Sequence, residues 1–220
     1  MNHLVEAFDL LLDAESWSGP GGFGARMLEH LWYTALALII SSAIALPVGL
    51  AVGHTGRGRA LAVISSGLVR ALPTLGLITL AALFVGIGLT APMIAFVVLA
   101  VPSILAGAYA GVESVSPATT DAAKAQGMSG WQVLIKVEIP LGLPLIIGGL
   151  RNATLQVVAT ATLAAYVGAG GLGRQLFLGL RTQDYPLMLA ASLAVILLAI
   201  ILDACFEFSQ RLLRRLLGLV

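Results

Sequence analysis

Apolar positions run along this chain in long uninterrupted blocks, separated by short polar breaks. Five blocks, approximately residues 28–52, 60–89, 92–112, 141–167 and 186–208, each approach or exceed the ~20 residues that a helix needs to cross hydrocarbon. They predict an all-α membrane protein with about five transmembrane helices. The second block is too long for one straight span. Arg70 and Pro73 interrupt it, so it is expected to begin as an interfacial or tilted piece before crossing. Residues 1–27 place Glu6, Asp9, Asp13 and Glu15 among Leu and Phe and end in a Gly19-Pro20-Gly21-Gly22 turn. This stretch lacks the basic start and compact apolar core of a secretory signal, and is expected to be an extracytoplasmic or interfacial tail. Residues 28–220 then form one transmembrane domain.

The longest polar interruption covers residues 113–140 and predicts two short helices around a sharp turn. Ser116 suits an N-cap, with Pro117 at the first helical position, and the helix through Asp121, Ala122, Ala123 and Lys124 stops at Gly127, which accepts a left-handed backbone. Ser129-Gly130-Trp131-Gln132 fits a capping box that opens the second helix. That helix is expected to end near Ile139, because Pro140 disfavours helix in the residue before it. By its residues alone the stretch is either an ordinary connecting loop or a docking surface.

The Lys/Arg distribution selects an orientation. With the N-terminus outside, the cytoplasmic segments hold Arg57, Arg59, Lys124, Lys136, Arg211, Arg214 and Arg215, and the outer ones only Arg26, Arg174 and Arg181. The positive-inside rule therefore predicts N-out, C-in, which places residues 113–140 in the cytoplasm.

Composition agrees with the block pattern: 59% of the 220 residues are hydrophobic and 10% charged, against roughly a quarter charged in soluble domains. Mean hydropathy is +0.99. A net charge of +1 gives no case for nucleic-acid binding. Cys205 is the single cysteine, so no intrachain disulfide forms, and its apolar surroundings predict a packed thiol.

The chain contains no G-x-x-x-x-G-K-[ST], no G-x-S-x-G, and its histidines, His3, His30 and His54, lack metal-ligand spacing. No catalytic residue and no metal site is expected, and any ATP with its Mg must sit on a partner. Gly168-Ala169-Gly170-Gly171-Leu172-Gly173 satisfies G-x-G-x-x-G, but it follows an apolar helix and not a strand, so a glycine turn or a close-packed backbone is the expectation.

Polar residues inside the fourth block carry the most information. Asn152, Gln156 and Thr160 recur every four residues with Arg151 beside them, on one helical face. Such a stripe serves helix-to-helix hydrogen bonding or lines a transport path. Arg151 favours the path if it lies deep, since a central arginine costs about 3 kcal/mol; near the headgroups it would snorkel instead. Arg70 is either an interfacial anchor or a gate contact. Asp203 and Glu207 share a face one turn apart, close to Arg211 and Arg214, and read as an ion-pair cluster or as a proton or sodium site.

Several of these strings carry a resemblance. Asp121-Ala122-Ala123, Gly127 and Ile139-Pro140 resemble the "EAA…G…LP" loop by which ABC importer permeases dock their ATPases, with Asp121 where the family usually has Glu. Ala169-Gly170-Gly171-Leu172-Gly173 resembles the "GGLG" stretch of permeases for glycine betaine, carnitine and choline and of the methionine-type group. Arg70-Ala71-Leu72-Pro73-Thr74, Lys136-Val137 and Pro140-Leu141 through Pro144 match the same osmoprotectant type. The resemblance implies the helical core of a type I ABC importer permease in the cell membrane. It also implies two ATPase subunits, a second permease copy or paralogue, and an extracytoplasmic substrate-binding protein. ATPase contacts would fall on Asp121, Ala122, Ala123, Gly127 and Pro140.

The expected function is then the transmembrane subunit of an ATP-driven importer for compatible solutes such as glycine betaine, choline, carnitine or proline. A methionine-like amino acid is the alternative substrate. A stand-alone secondary transporter or channel is the alternative class, and it is weakened by the absence of a visible inverted repeat. Aromatic residues make up only 6% of the chain, so recognition of a quaternary ammonium is expected to reside mainly in the binding protein.

Overall fold

The computed structural model describes residues 2–60, 64, 67, 69, 71–216 and 218, and every regular element among them is helical. Arg70 lies outside the described residues. In chain order the elements are α1 (Asn2–Leu12), α2 (Ala14–Trp17), α3 (Phe23–Thr55), α4 (Thr74–Val85), α5 (Thr90–Glu113), α6 (Pro117–Ala125), α7 (Gly130–Val133), a π-helical turn (Leu134–Glu138), α8 (Ile139–Ala161), a 3-10 segment (Thr162–Val167), α9 (Gly173–Thr182) and α10 (Tyr185–Leu216).

Four helical stretches are long and apolar enough to cross a membrane: α3 with 33 residues, α5 with 24, the continuous run Gly130–Val167 with 38, and α10 with 32. The block at 60–89 is described only in part, with residues 61–63, 65, 66, 68 and 70 outside the described residues. Its described helix, α4, has 12 residues, about 18 Å of length against ~30 Å of hydrocarbon. Both ends of α4 are set locally, because Pro73 stands extended before the first turn and Gly86 leaves the helix at φ +84°.

Two expectations are corrected. The helix opened by the capping box does not stop at Ile139 but continues through Pro140 and Pro144 as one rod. Proline at position 140 has no N–H to give, and its ring crowds the carbonyl four residues back. The chain accommodates it by widening one turn, so that the Ile139 N–H reaches the Leu134 carbonyl, an i→i−5 bond. Cys205, expected to be packed, is exposed on α10.

The chain divides into two compact units, and α3, α5, α8 and α10 each contribute residues to both. One unit comprises residues 1–38, 72–97 and 155–202. Its core gathers Ala7, Phe23, Val158, Leu172, Ala190, Ala191, Ala194 and Leu198, with Leu10, Leu11 and Trp17 packed against it. The N-terminal stretch is therefore helical and anchored through Ala7 and Phe23, although most of its other side chains remain exposed. Asp13 caps α2 by accepting from the Ser16 hydroxyl at 2.9 Å and from the N–H groups of Ser16 and Glu15 at 3.0 and 3.2 Å. These bonds, the Ser16 hydroxyl foremost, hold its carboxyl below the usual aspartate range.

The other unit comprises residues 39–71, 98–154 and 203–220 and is built on backbone contact. A Cβ at Gly107 would stand 2.6 Å from the Gly149 Cα, and one at Gly111 would stand 2.7 Å from the Gly142 carbonyl oxygen. Gly49 and Gly53 of α3 approach Leu105, Ala108 and Val112 of α5 as closely. Small residues thus take the place of interdigitating side chains where α3, α5 and α8 meet, as membrane helices commonly allow.

Candidate functional site

The loop after α5 is ordered by its own backbone. Helix α6 ends on Gly127 at φ +89°, with Gly127 N–H donating to the Lys124 carbonyl at 2.9 Å and Met128 N–H to the Ala123 carbonyl at 3.2 Å. This is the Schellman pairing, and only glycine takes that conformation without strain. The predicted capping box is present: Ser129 N–H donates to Gln132 Oε1 at 2.8 Å and Gln132 N–H to Ser129 Oγ at 3.4 Å. Ser116 stands at the N-cap of α6 without a side-chain bond. Asp121 and Ala122 are exposed, Ala123 is buried, and Pro140 lies half-buried in α8. Beside Ala122 and Ala123 opens a cleft of about 510 Å³, also lined by Ala118, Thr119, Met128 and Val137, an uncharged surface.

One contact at the base of this loop escapes sequence reasoning. Glu138, in the π turn, is 7% exposed, and its carboxylate meets His54 Nδ1 of α3 at 2.6 Å. Eighty-four positions separate the two, and the only available sign is that His54 stands just after the first apolar block and Glu138 just before the fourth. A buried carboxylate stripped of its hydrogen-bond partner is destabilising by about 1–3 kcal/mol. His54→Ala is accordingly expected to lower the melting temperature in detergent by several degrees, and adding Glu138→Gln to recover most of the loss. Equal melting of wild type and His54→Ala would assign the pair no part in stability.

The polar residues of α8 do not form one network. Arg151 forks onto Asp203, Nε to Oδ1 at 2.6 Å and Nη2 to Oδ2 at 2.8 Å, and gives Nη1 to Glu207 Oε2 at 2.5 Å. Glu207 also accepts from Arg211 at 2.9 Å, while Gln210 donates to the Pro144 carbonyl at 3.0 Å. Asp203 and Glu207 thus form an ion-pair cluster whose principal cation is Arg151 on another helix. Asn152 is exposed and stands apart from that cluster. Gln156 and Thr160 are half-buried, and the Thr160 hydroxyl donates to the Gln156 carbonyl at 2.9 Å.

The glycine stretch is a close-packed turn. Gly168 ends the 3-10 segment at φ +86°, and Gly173 lies against the backbone of Thr162. Gly171 N–H donates to Glu29 Oε2 at 2.8 Å, and the same carboxylate accepts from Arg26 at 2.8 Å. His30, also missed by sequence reasoning, is fully buried and donates from Nε2 to the Val158 carbonyl at 2.9 Å.

Long apolar helices joined through a capped helix–glycine–helix loop define a polytopic membrane-helix core. The fold is similar to that of the MetNI methionine ABC transporter in an inward-facing conformation: TM-score 0.75 at 22% identity, covering 87% of this chain and 95% of that one. Residues 43–218 match the family described as the binding-protein-dependent transport system inner membrane component, and the chain belongs to that family. It is similar to the glycine betaine/carnitine/choline transport system permease OpuCB of Bacillus subtilis, 31% identical over 183 residues, 83% of this chain and 84% of that protein. It is similar also to the osmoprotectant import permease OsmW of Salmonella typhimurium, 32% identical over 191 residues, 83% of this chain and 87% of that protein. The chain is therefore a multi-pass membrane protein and the transmembrane subunit of a solute importer, a transport component and not an enzyme.

Proposed function

We propose that this permease forms the translocation path of an ATP-driven importer for compatible solutes of the glycine betaine, choline, carnitine and proline type, oriented N-out and C-in. An extracytoplasmic binding protein delivers the solute, and two ATPase subunits, holding ATP and Mg, engage residues 116–137. A second permease, identical or paralogous, completes the path. The observation that carries the reading is the loop itself, in which a Schellman turn and a capping box present Asp121 and Ala122 to solvent beside an uncharged cleft. Gly127 and Pro140 act by setting the shape of this docking surface. Arg151, Asn152, Gln156, Thr160 and Arg70 are assigned to the path, Arg151 in its paired state. ATPase closure would press on the loop and tilt the spans between outward and inward access.

Ala122→Glu and Gly127→Asp test the docking role. Ala122 is exposed in a helix, so Ala122→Glu is expected to fold unchanged, whereas Gly127→Asp meets no neighbouring atom but places a non-glycine residue at φ +89° and so strains the turn itself. In detergent pull-downs the ATPase subunit should co-purify with wild type and fall at least about tenfold with Ala122→Glu, as a buried unpaired charge at an interface requires. Full retention of the ATPase by both variants would remove the loop from the interface. Absence of any ATPase with folded wild type, together with uptake by the chain alone, would favour a stand-alone transporter.

A further inference from the structure

A cleft walled by residues 165–181 together with Gly21, Arg26 and Ile87 has no part in the path or the coupling loop. It measures about 570 Å³, within the ~300–1,000 Å³ of small-molecule sites. Arg26, Arg174 and Arg181 line it together with Tyr166 and Phe177, and no acidic side chain does. Every one of these residues belongs to the same compact unit. Sequence reasoning used the three arginines only to count charges on the outer side.

The three cations are not equivalent. Arg26 is 14% exposed and already paired with Glu29 at 2.8 Å, so its charge is compensated. Arg174 and Arg181 are exposed, and their side chains make no hydrogen bond or ion pair among the described residues. They stand two turns apart on α9, on the face that also carries Phe177. Phe177 and Tyr166 meet with ring centroids 6.0 Å apart and planes tilted by 53°, which makes an aromatic corner in the wall. Guanidinium groups bind carboxylates through paired charged hydrogen bonds, and a methylated ammonium is attracted to aromatic faces. Arg174 lies within electrostatic reach of Glu29, which leaves Arg181 as the cation with no carboxylate partner among the described residues; an exposed guanidinium beside an aromatic corner suits a small molecule carrying both groups.

We propose that this cleft is a solute site for carboxylate-bearing quaternary ammonium zwitterions, in which Arg181, with Arg174 beside it, takes the carboxylate and Tyr166 with Phe177 face the cationic head. The proposal rests on the importer reading for its solute class and deepens it: the permease itself distinguishes glycine betaine or carnitine from choline, which has the same cationic head and no carboxylate. An anionic lipid headgroup offers the same charge to the arginines, so phosphatidylglycerol is the competing source.

The test is equilibrium binding of labelled glycine betaine and of labelled choline to the purified full chain in maltoside detergent. Glycine betaine is expected to bind at least about tenfold more tightly than choline. Arg174→Gln and Arg181→Gln should together remove that preference while leaving choline binding and the melting temperature unchanged. Phe177→Leu should weaken both ligands alike. Equal binding of the two ligands, binding of neither, an unchanged preference in the double arginine variant, or displacement by phosphatidylglycerol of a site that glycine betaine does not occupy would overturn the proposal. Each of these outcomes leaves ATPase co-purification untouched, so the failure of this site and the failure of the importer reading are separable.

Discussion

Valine at position 107 is expected to abolish the folded, monodisperse protein. A Cβ there would stand 2.6 Å from the Gly149 Cα, 2.9 Å from the Gly149 nitrogen and 3.0 Å from the Leu145 carbonyl oxygen, all of them backbone atoms. A flexible side chain can rotate away from an intruder; two helical backbones must move apart bodily. Overpacking a core ordinarily destabilises by about 1–3 kcal/mol, and a β-branched residue against backbone belongs at or above the upper end. Size-exclusion profiles and melting curves of Gly107→Val in detergent would check this. Gly148→Ala is the matched control, because its nearest contact would be Gln210 Nε2 at an ordinary 3.5 Å. A Gly107→Val protein that melts within a degree or two of wild type would show that α5 and α8 do not depend on this contact.

Arg151→Leu is expected to give the second large effect, a loss of uptake of at least about tenfold together with a fall in folded yield. The substitution leaves Asp203 without its bidentate partner and Glu207 with Arg211 alone. Lysine restores the charge but not the fork, so Arg151→Lys should recover yield more than uptake. If the deficit arises from the abandoned carboxylates, adding Asp203→Asn and Glu207→Gln to Arg151→Leu should restore yield. Uptake in proteoliposomes alongside the amount of folded protein separates the two effects. Full activity of the single leucine variant would exclude Arg151 from both the path and the scaffold.

Much of this fold is legible in the sequence because it is written in local chemistry. Ser129 with Gln132, Gly127 at a left-handed position and the Gly168–Gly173 turn follow from residues within a few positions of one another. Span positions follow from uninterrupted apolar sequence, where lipid leaves the backbone no alternative to helix. Three features were out of reach for physical reasons. The local rule for Pro140 predicts a stop, but it does not register that a widened turn can absorb the missing donor. Arg151 finds Asp203 and Glu207, and His54 finds Glu138, through contacts between helices, which impose no periodicity on the chain. Cys205 is exposed because an apolar run in a membrane protein indicates contact with lipid as readily as with protein.

The π turn at Leu134–Glu138 has a consequence for how the loop could change over generations. It holds one residue more than an α turn would over nearly the same rise, and one residue of helix corresponds to about 100° of rotation. The compass bearing of α7 relative to α8 is therefore kept as a residue count. Apart from Gln132 in the capping box and Glu138 paired with His54, side chains along residues 130–138 can be exchanged without changing that count, whereas a single insertion or deletion would swing the loop by more than a quarter of a circle. Selection on this segment should act on its length before its composition.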